Sequence, residues 1–559
     1  MILNETTLRQ NQSNYCREKR KRLTVEYLIR DDILVKYTEE REKKQVVIPD
    51  EIREIGEKAF SGCISLTKVT IPYGVTKIGE RAFYDCRSLT QIEIPESVTE
   101  IGDGAFASCF SMESVTIPSS ITEISDLFFY GCQSLKSVTI PESVIKIGYK
   151  AFWNCKVLGS IEFPESVQKI EDNAFELCDS LTSVVIPESV TQIGEFAFSR
   201  CSSLVSVTIP ESVTEIGENA FSGTAWLEQQ IEPFVIVGNH ILIAYNGKDA
   251  RVTIPAGITK IGGNAFSGCR FLKEVKIPDS VTEIGNHAFY GCDSLTHVAI
   301  PESVTKIGNG TFSNCSSLIS ATIPDSVVEI GERAFFSCRS LANVTIHKGV
   351  TKIGEYAFSE CQSLINVTIP ETVTEIGVKA FSFCGSLTSV VIPESVTKIG
   401  ELAFCKCESL KNVTIHNGMA AIADNAFYFC KSLENYTIFD YTIYEKQRDW
   451  TIEKLSEAIA TMISTKDYSV TMEQSTKYNI VVRVFLKTAQ PEAEAYIKKN
   501  ITRILPYFID QNDFRMVKAL FESGKFITDK NIRKFLNYAK DGDAHIHAYI
   551  TDYLNKHDC

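Results

Sequence analysis

The sequence predicts an α/β repeat protein, a solenoid of about sixteen 23-residue units with a parallel sheet, followed by an all-α C-terminal segment. Three observations carry that reading. Proline recurs every 23 residues, at Pro72, Pro95, Pro118, Pro141, Pro164, Pro187 and Pro210. Phenylalanine keeps the same period from Phe60 to Phe221 and again from Phe266 to Phe427. Beyond residue 439 the period stops and apolar residues take up helical spacing. A fixed period of this length marks a stacked array in which each unit packs only on its neighbours. The 44% hydrophobic content is enough for one long continuous core.

Residues 1–23 read as a disordered arm. Their basic run, Arg17 to Arg22, is short and isolated, which fits a solvated segment better than a docking patch. The first fifteen residues hold no apolar stretch of signal-peptide length, and the chain has no run of 18 apolar residues. No membrane insertion is therefore expected. Formal charge is −13, so nothing drives the chain as a whole toward nucleic acid.

Residues 24–49 read as cap strands. Residues 27–37 read as two short strands around a polar turn, leading through Val46, Val47, Ile48 and Pro49 into the repeat. The first array follows at 50–223. Its unit is clean at 181–201. Val184 and Ile186 alternate with polar residues, as in a strand with one buried face. Pro187 lacks an N–H and ends that ladder. Val190 and Ile193 turn back inward. Gly194, matched by glycine in thirteen of sixteen units, is expected to relieve the backbone at a corner. Ala197 and Phe198 fill the far side, and Leu181 opens the strand.

Phe221 and Phe266 stand 45 residues apart, one short of two periods. Residues 224–254 fill the gap with a cognate of the N-terminal cap. We expect a structural joint there; the alternative is a ligand-contacting protrusion bearing Trp226 and Phe234. The second array spans 255–439. In the final segment, 440–559, three sets suggest helices: Ile452, Leu455, Ile459 and Met462; Phe514, Val517, Leu520 and Phe521; Ile532, Phe535 and Leu536.

The repeat resembles the BspA-type leucine-rich repeat, with its L-x-x-V-x-I-P-x-S-V-x-x-I-G-x-x-A-F-x-x-C pattern, over about residues 46–438. The resemblance implies a curved leucine-rich-repeat solenoid with a concave parallel sheet, and a protein- or surface-binding role. Residues 513–524 resemble the helix pair of an ankyrin-type repeat. A helical cap or a small interaction module both fit this segment, and the two together are the expectation.

Catalytic and metal chemistry find little support. Fifteen of the eighteen cysteines share one repeat position, from Cys63 to Cys430; Cys16, Cys405 and Cys559 are the others. Equivalent positions give parallel side chains rather than facing pairs, so buried free thiols are expected. Free thiols in such number fit a reducing compartment. His545 and His547 form an H-x-H without further ligands at metal-site spacing. No phosphate loop, nucleophile elbow or zinc-protease motif occurs. No cofactor is expected and the chain is not expected to be an enzyme.

What remains is the exposed face of the strands. In the second array it reads Ser320 and Thr322, Asn343 and Thr345, Asn366 and Thr368, Asn412 and Thr414, polar and almost uncharged. These are the candidate partner-binding residues. Threonine also suits strands for its β-branch alone, which explains part of the pattern without a ligand. The expectation is a non-catalytic protein-binding scaffold of cytoplasmic location. The alternative is an exported surface adhesin, secreted by a route without a visible signal peptide. A second repeat position alternates in sign, through Lys260, Glu283, Lys306, Glu329, Lys352, Glu375 and Lys398, and reads as a stabilising stripe.

Overall fold

The computed structural model describes residues 27–38, 43–416, 421–423, 425–438, 441–444, 457, 458, 461, 462, 464–468, 470, 472, 474–540 and 542–557. The N-terminal arm, its basic run, Cys16, Cys559, Ile452, Leu455 and Ile459 lie outside the described residues. The repeat forms a parallel β-solenoid of about 23 residues per turn, followed by a helical segment. It divides into two compact units. The first holds residues 1–248, 255–266 and 280–288; the second holds 249–254, 267–279 and 289–559.

Most coils contribute two strands; the coil around Ile161 has only the short one, Lys169–Ile170. The longer one has three or four residues, as at Ser183–Val185, with its middle residue buried and its flanks exposed. The shorter one has two, as at Gln192–Ile193. Both stack in register on the next coil, Val184 on Val207 and Ile193 on Ile216. Period-two burial makes this register compulsory, since a one-residue slip would turn every isoleucine to water.

The turn side carries a third ladder. Phe60 N–H donates to Ala82 O at 2.7 Å, flanked by Lys58 to Glu80 at 2.9 Å and Gly62 to Tyr84 at 2.8 Å. Backbone groups that a turn would leave buried and unpaired are thereby satisfied between coils. Hydroxyls add a further set: Ser189 Oγ donates to Val167 O at 2.6 Å and Thr397 Oγ1 to Thr374 O at 3.1 Å.

The core is a column of rings. From Phe289 to Phe427 in the second unit, successive phenyls stand 5.1–5.3 Å apart and stack at 18° or less. In the first unit Phe128 takes the usual alanine place and wedges beside Phe129, and the step from Phe106 to Phe129 widens to 6.0 Å. The ladder thiols line the same core. Cys86 Sγ donates to Phe60 O at 3.2 Å and Cys338 Sγ to Phe312 O at 3.1 Å. All sixteen described cysteines are free.

The conserved-looking glycine has a different cause from the one its sequence suggests. Gly194 is not left-handed. A Cβ on it would lie 2.4 Å from Asp172 N of the preceding coil. Close approach between coils, rather than backbone freedom, demands glycine. The left-handed residues are Phe196 (φ 54°) and Arg200 (φ 58°), and their counterparts recur in other coils. Where Ser125 replaces the glycine, its Oγ bonds Gly102 O at 3.2 Å, and the short-strand ladder breaks between Ile101 and Glu123.

Both cap hairpins form where the sequence places them. Tyr27–Arg30 pairs antiparallel with Ile33–Tyr37, and Phe234–Val237 with Ile241–Tyr245. Their last strands then pair in parallel with Glu54–Ile55 and Lys260–Ile261. Tyr37 continues the ring column onto Phe60 at 5.0 Å, as Tyr245 does onto Phe266 at 4.9 Å. At the other end of the second unit, Tyr441–Tyr444 pairs antiparallel with Asn435–Ile438 and closes the long-strand sheet.

A one-turn helix, α1, spans Ala225–Glu228. The C-terminal segment holds α2 (Gln474–Thr488), α3 (Pro491–Asp510), α4 (Phe514–Glu522), α5 (Asp529–Ala539) and α6 (Ala544–His557). Starts are set locally. Pro491 opens α3, where its missing N–H costs nothing. Asp513 accepts from Met516 N–H at 3.1 Å, and Thr528 with Asn531 forms a capping box. Val517, Leu520, Phe521 and Phe535 are buried as their spacing predicts; Phe514 stays exposed. Lys487 of α2 pairs with Glu394 at 2.8 Å, tying the helices to the solenoid.

Candidate functional site

The long-strand sheet of the second unit runs unbroken from Arg251–Thr253 to its antiparallel closing strand. Parallel pairing sets Ser320 beside Asn343 and Thr322 beside Thr345. Asn343 adjoins Asn366, and Asn366 adjoins Ser389, which adjoins Asn412. Thr414 lies beside Val391 in the same row. The structure thus brings seven of the eight predicted residues onto paired strands of one face; Thr368 follows the shortened strand Asn366–Val367. Thr322, Asn343, Thr345, Asn366, Thr368 and Asn412 are exposed; Ser320 and Thr414 are half-buried. The row is neutral over these coils. Exposed Ile319 and Ile365 border it, and Val391 interrupts it with an apolar side chain.

Trp226 and Phe234 lie elsewhere, in the first unit, and both are half-buried. Trp226 meets Phe221 edge-on at 5.1 Å, and its main-chain N–H donates to Leu204 O at 2.6 Å. Phe234 packs on Tyr245 at 5.2 Å. Both rings finish the aromatic column at the internal hairpin.

The charged row lies along the short strands. Lys260 pairs with Glu283 at 2.9 Å, Lys352 with Glu329 at 2.9 Å, and Lys398 with Glu375 at 2.6 Å. Pairing with Glu329 raises the Lys352 ammonium above its ordinary range. In the first unit Lys146 and Lys169 are neighbours, a like-charge contact. Glu171, standing in the glycine position, reaches both at 3.5 and 3.1 Å.

Thiol chemistry is suppressed. Burial pushes Cys132 and Cys338 up to about 12, so the nucleophilic thiolate does not form at neutral pH. His545 is exposed on α6 and His547 half-buried. Among the described residues no three His, Cys, Asp or Glu side chains converge as a metal site would need. Nor is any described helix long and apolar enough to cross a membrane. One cluster escaped the sequence reading: the residue after the repeat phenylalanine is aromatic at Tyr84, Tyr130 and Trp153. Its signal is visible only when the coils are aligned column by column.

Parallel strands repeating every 23 residues, a stacked phenylalanine column and paired caps define a leucine-rich-repeat solenoid. The chain belongs to the BspA type leucine rich repeat family, whose profile matches residues 37–158, 122–237, 244–365 and 329–447. No curated protein matches it. Among solved structures it is similar to a leucine-rich repeat protein from Bacteroides ovatus, at 29% identity over 69% of this chain and 92% of the other, with a TM-score of 0.37. It is also similar to a leucine rich cell surface protein from Faecalibacterium prausnitzii, at 32% identity, 61% and 91% coverage and a TM-score of 0.36. A leucine rich repeat protein of T. pallidum matches 36% of this chain and 86% of its own, at 29% identity and a TM-score of 0.27.

Proposed function

We propose that the chain is a non-catalytic protein-binding scaffold whose main contact surface is the exposed long-strand face of the second unit. The observation that carries this reading is the neutral, in-register row from Ser320 to Asn412. Short hydroxyl and amide side chains on a rigid sheet present donors and acceptors at fixed spacing and lose little rotamer entropy when covered. Trp226 and Phe234 belong on this reading to a structural joint.

The compartment that fits is a reducing one, and the location cytoplasmic. The support is the thiol ladder, in which sulfurs such as those of Cys86 and Cys338 hydrogen-bond a main-chain carbonyl as S–H donors. Replacing both Asn343 and Asn366 by arginine tests the contact surface. The two positions are exposed, so circular dichroism should stay unchanged while partners captured by the full chain from its own cells are lost. An identical set of captured partners with the variant would place the contact elsewhere. Fractionation of those cells tests the location independently; recovery at the cell surface would favour the adhesin.

A further inference from the structure

The turn side of the first unit holds a cleft of about 550 Å³ that the protein-binding reading does not use. This volume lies within the range of small-molecule sites, roughly 300–1,000 Å³. Its floor is Gly104 and Ala107, both buried. Tyr84 stands on one side, and Tyr130 with Leu127 on the other. These positions are successive places of one repeat column: Tyr84, Ala107, Tyr130, Trp153. Ala107 is the missing ring.

The geometry of the column says what the gap holds. Neighbouring rings in the core stand 4.9–5.5 Å apart. Two coil steps therefore separate Tyr84 from Tyr130 by about 10 Å, which leaves stacking room for one further ring. The far wall is preorganised. Tyr130 stacks on Trp153 at 4.5 Å and 7°, and Trp153 Nε1 donates to Glu176 at 3.0 Å. Tyr84 and Tyr149 are 40% and 39% exposed.

Charge supplies the second requirement. Lys58, Arg81 and Lys150 line the cleft and no carboxylate does. Lys58 contacts Glu57, and Arg81 contacts Glu80 at 3.0 Å. These are exposed pairs between sequence neighbours, weak in water, and a ligand anion can displace them. Lys150 lies 4.9 Å over the Tyr149 ring. Glu57, Glu80, Asp103 and Asp126 form the next column of the repeat. A long polyanion such as a nucleic acid would run onto those carboxylates; a single localised anion would not.

We propose that this cleft binds one aromatic ring carrying an anionic group, an aryl phosphate, sulfate or carboxylate, by stacking it over Ala107 between Tyr84 and Tyr130. Such a group is either a free small molecule or a modified tyrosine on a partner protein. The test titrates the full chain with phenyl phosphate, with a phosphotyrosine pentapeptide, and with inorganic phosphate and p-cresol as the half-ligands. Calorimetry gives the readout. Phenyl phosphate should bind at least about tenfold tighter than either half-ligand, because stacking and charge act together. Tyr84→Ala and Arg81→Gln should each weaken it about tenfold. Arg81 is an exposed side chain, so its variant keeps the fold. Arg333→Gln, at the same repeat position in the second unit, should change nothing. A peptide tighter than phenyl phosphate assigns the protein-borne source; equal affinities assign the free one. The proposal is overturned by no binding at millimolar concentration, by inorganic phosphate binding as well as phenyl phosphate, by indifference to both variants, or by a single-stranded oligonucleotide binding more tightly.

Discussion

At the scale of single residues, the solenoid depends on a few positions with opposite demands. Phe312 is fully buried within the ring column, 5.3 and 5.2 Å from Phe289 and Phe335. Phe312→Ala leaves a cavity between rigid neighbours and should cost about 3–5 kcal/mol locally, read as a lower denaturant midpoint. Unchanged unfolding would contradict the ring register. The left-handed positions predict the reverse effect. Arg200, with its side chain exposed, sits at φ 58°, a conformation that costs an L-residue about 1–2 kcal/mol. Arg200→Gly removes that strain and adds chain entropy of about 0.5–1 kcal/mol to the unfolded state. A net gain of about 0.5–1 kcal/mol should appear as a raised midpoint. The sequence hid these sites because Leu402, Phe196 and Lys379 share no side-chain chemistry. What they share is a backbone angle, imposed by the N–H ladder between coils. The recurrent glycine misled for the related reason that close packing and backbone freedom select the same residue.

Among the elements, the short strands are the least legible and the most consequential. Two-residue segments such as Glu329–Ile330 carry too few alternations to distinguish a strand from a turn. Only the alternation of sign across coils hinted that these positions are neighbours. The pairing of Glu329 beside Lys352 makes the hint physical. Lys–Glu contacts there lie at 2.6–2.9 Å on partly exposed side chains. Glu329→Lys would set a third lysine in line with Lys306 and Lys352. Destabilisation should be modest, about 0.2–1 kcal/mol, and should shrink in high salt because the charges face solvent. Equal thermal midpoints for wild type and variant at low salt would show the row to be without energetic effect. Glu171 is the natural counterpart of this experiment. It breaks the glycine rule where Lys146 meets Lys169, and it neutralises the contact.

For the molecule as a whole, the architecture was legible because its period is long and its units are nearly identical. The candidate strand face was legible too, since alternation names the exposed residues. The aromatic cleft was not, because a binding site made from one column appears in sequence as isolated residues 23 apart. The thiol ladder yields a prediction at this same scale. Desolvation holds the Cys132 and Cys338 thiols neutral, pushed up to about 12. In the unfolded chain a thiol ionises near its ordinary value of about 8.5. Below that pH both states keep the proton and stability is insensitive to it. Between about 8.5 and 12 the unfolded chain releases a proton that the native state retains, so stability falls as pH rises. The slope is about 1.4 kcal/mol per unit for each thiol in the unfolding segment. Lysines and tyrosines titrate in the same window, so the measurement must be a difference. Cys338→Ala removes one thiol from the middle of the second unit's ladder. Its stability deficit relative to wild type should narrow by about 2 kcal/mol between pH 8 and pH 10, when denaturant midpoints are converted to free energies. A deficit constant across that range would mean that Cys338 ionises alike in both states, and the claim that burial keeps the ladder protonated would fail.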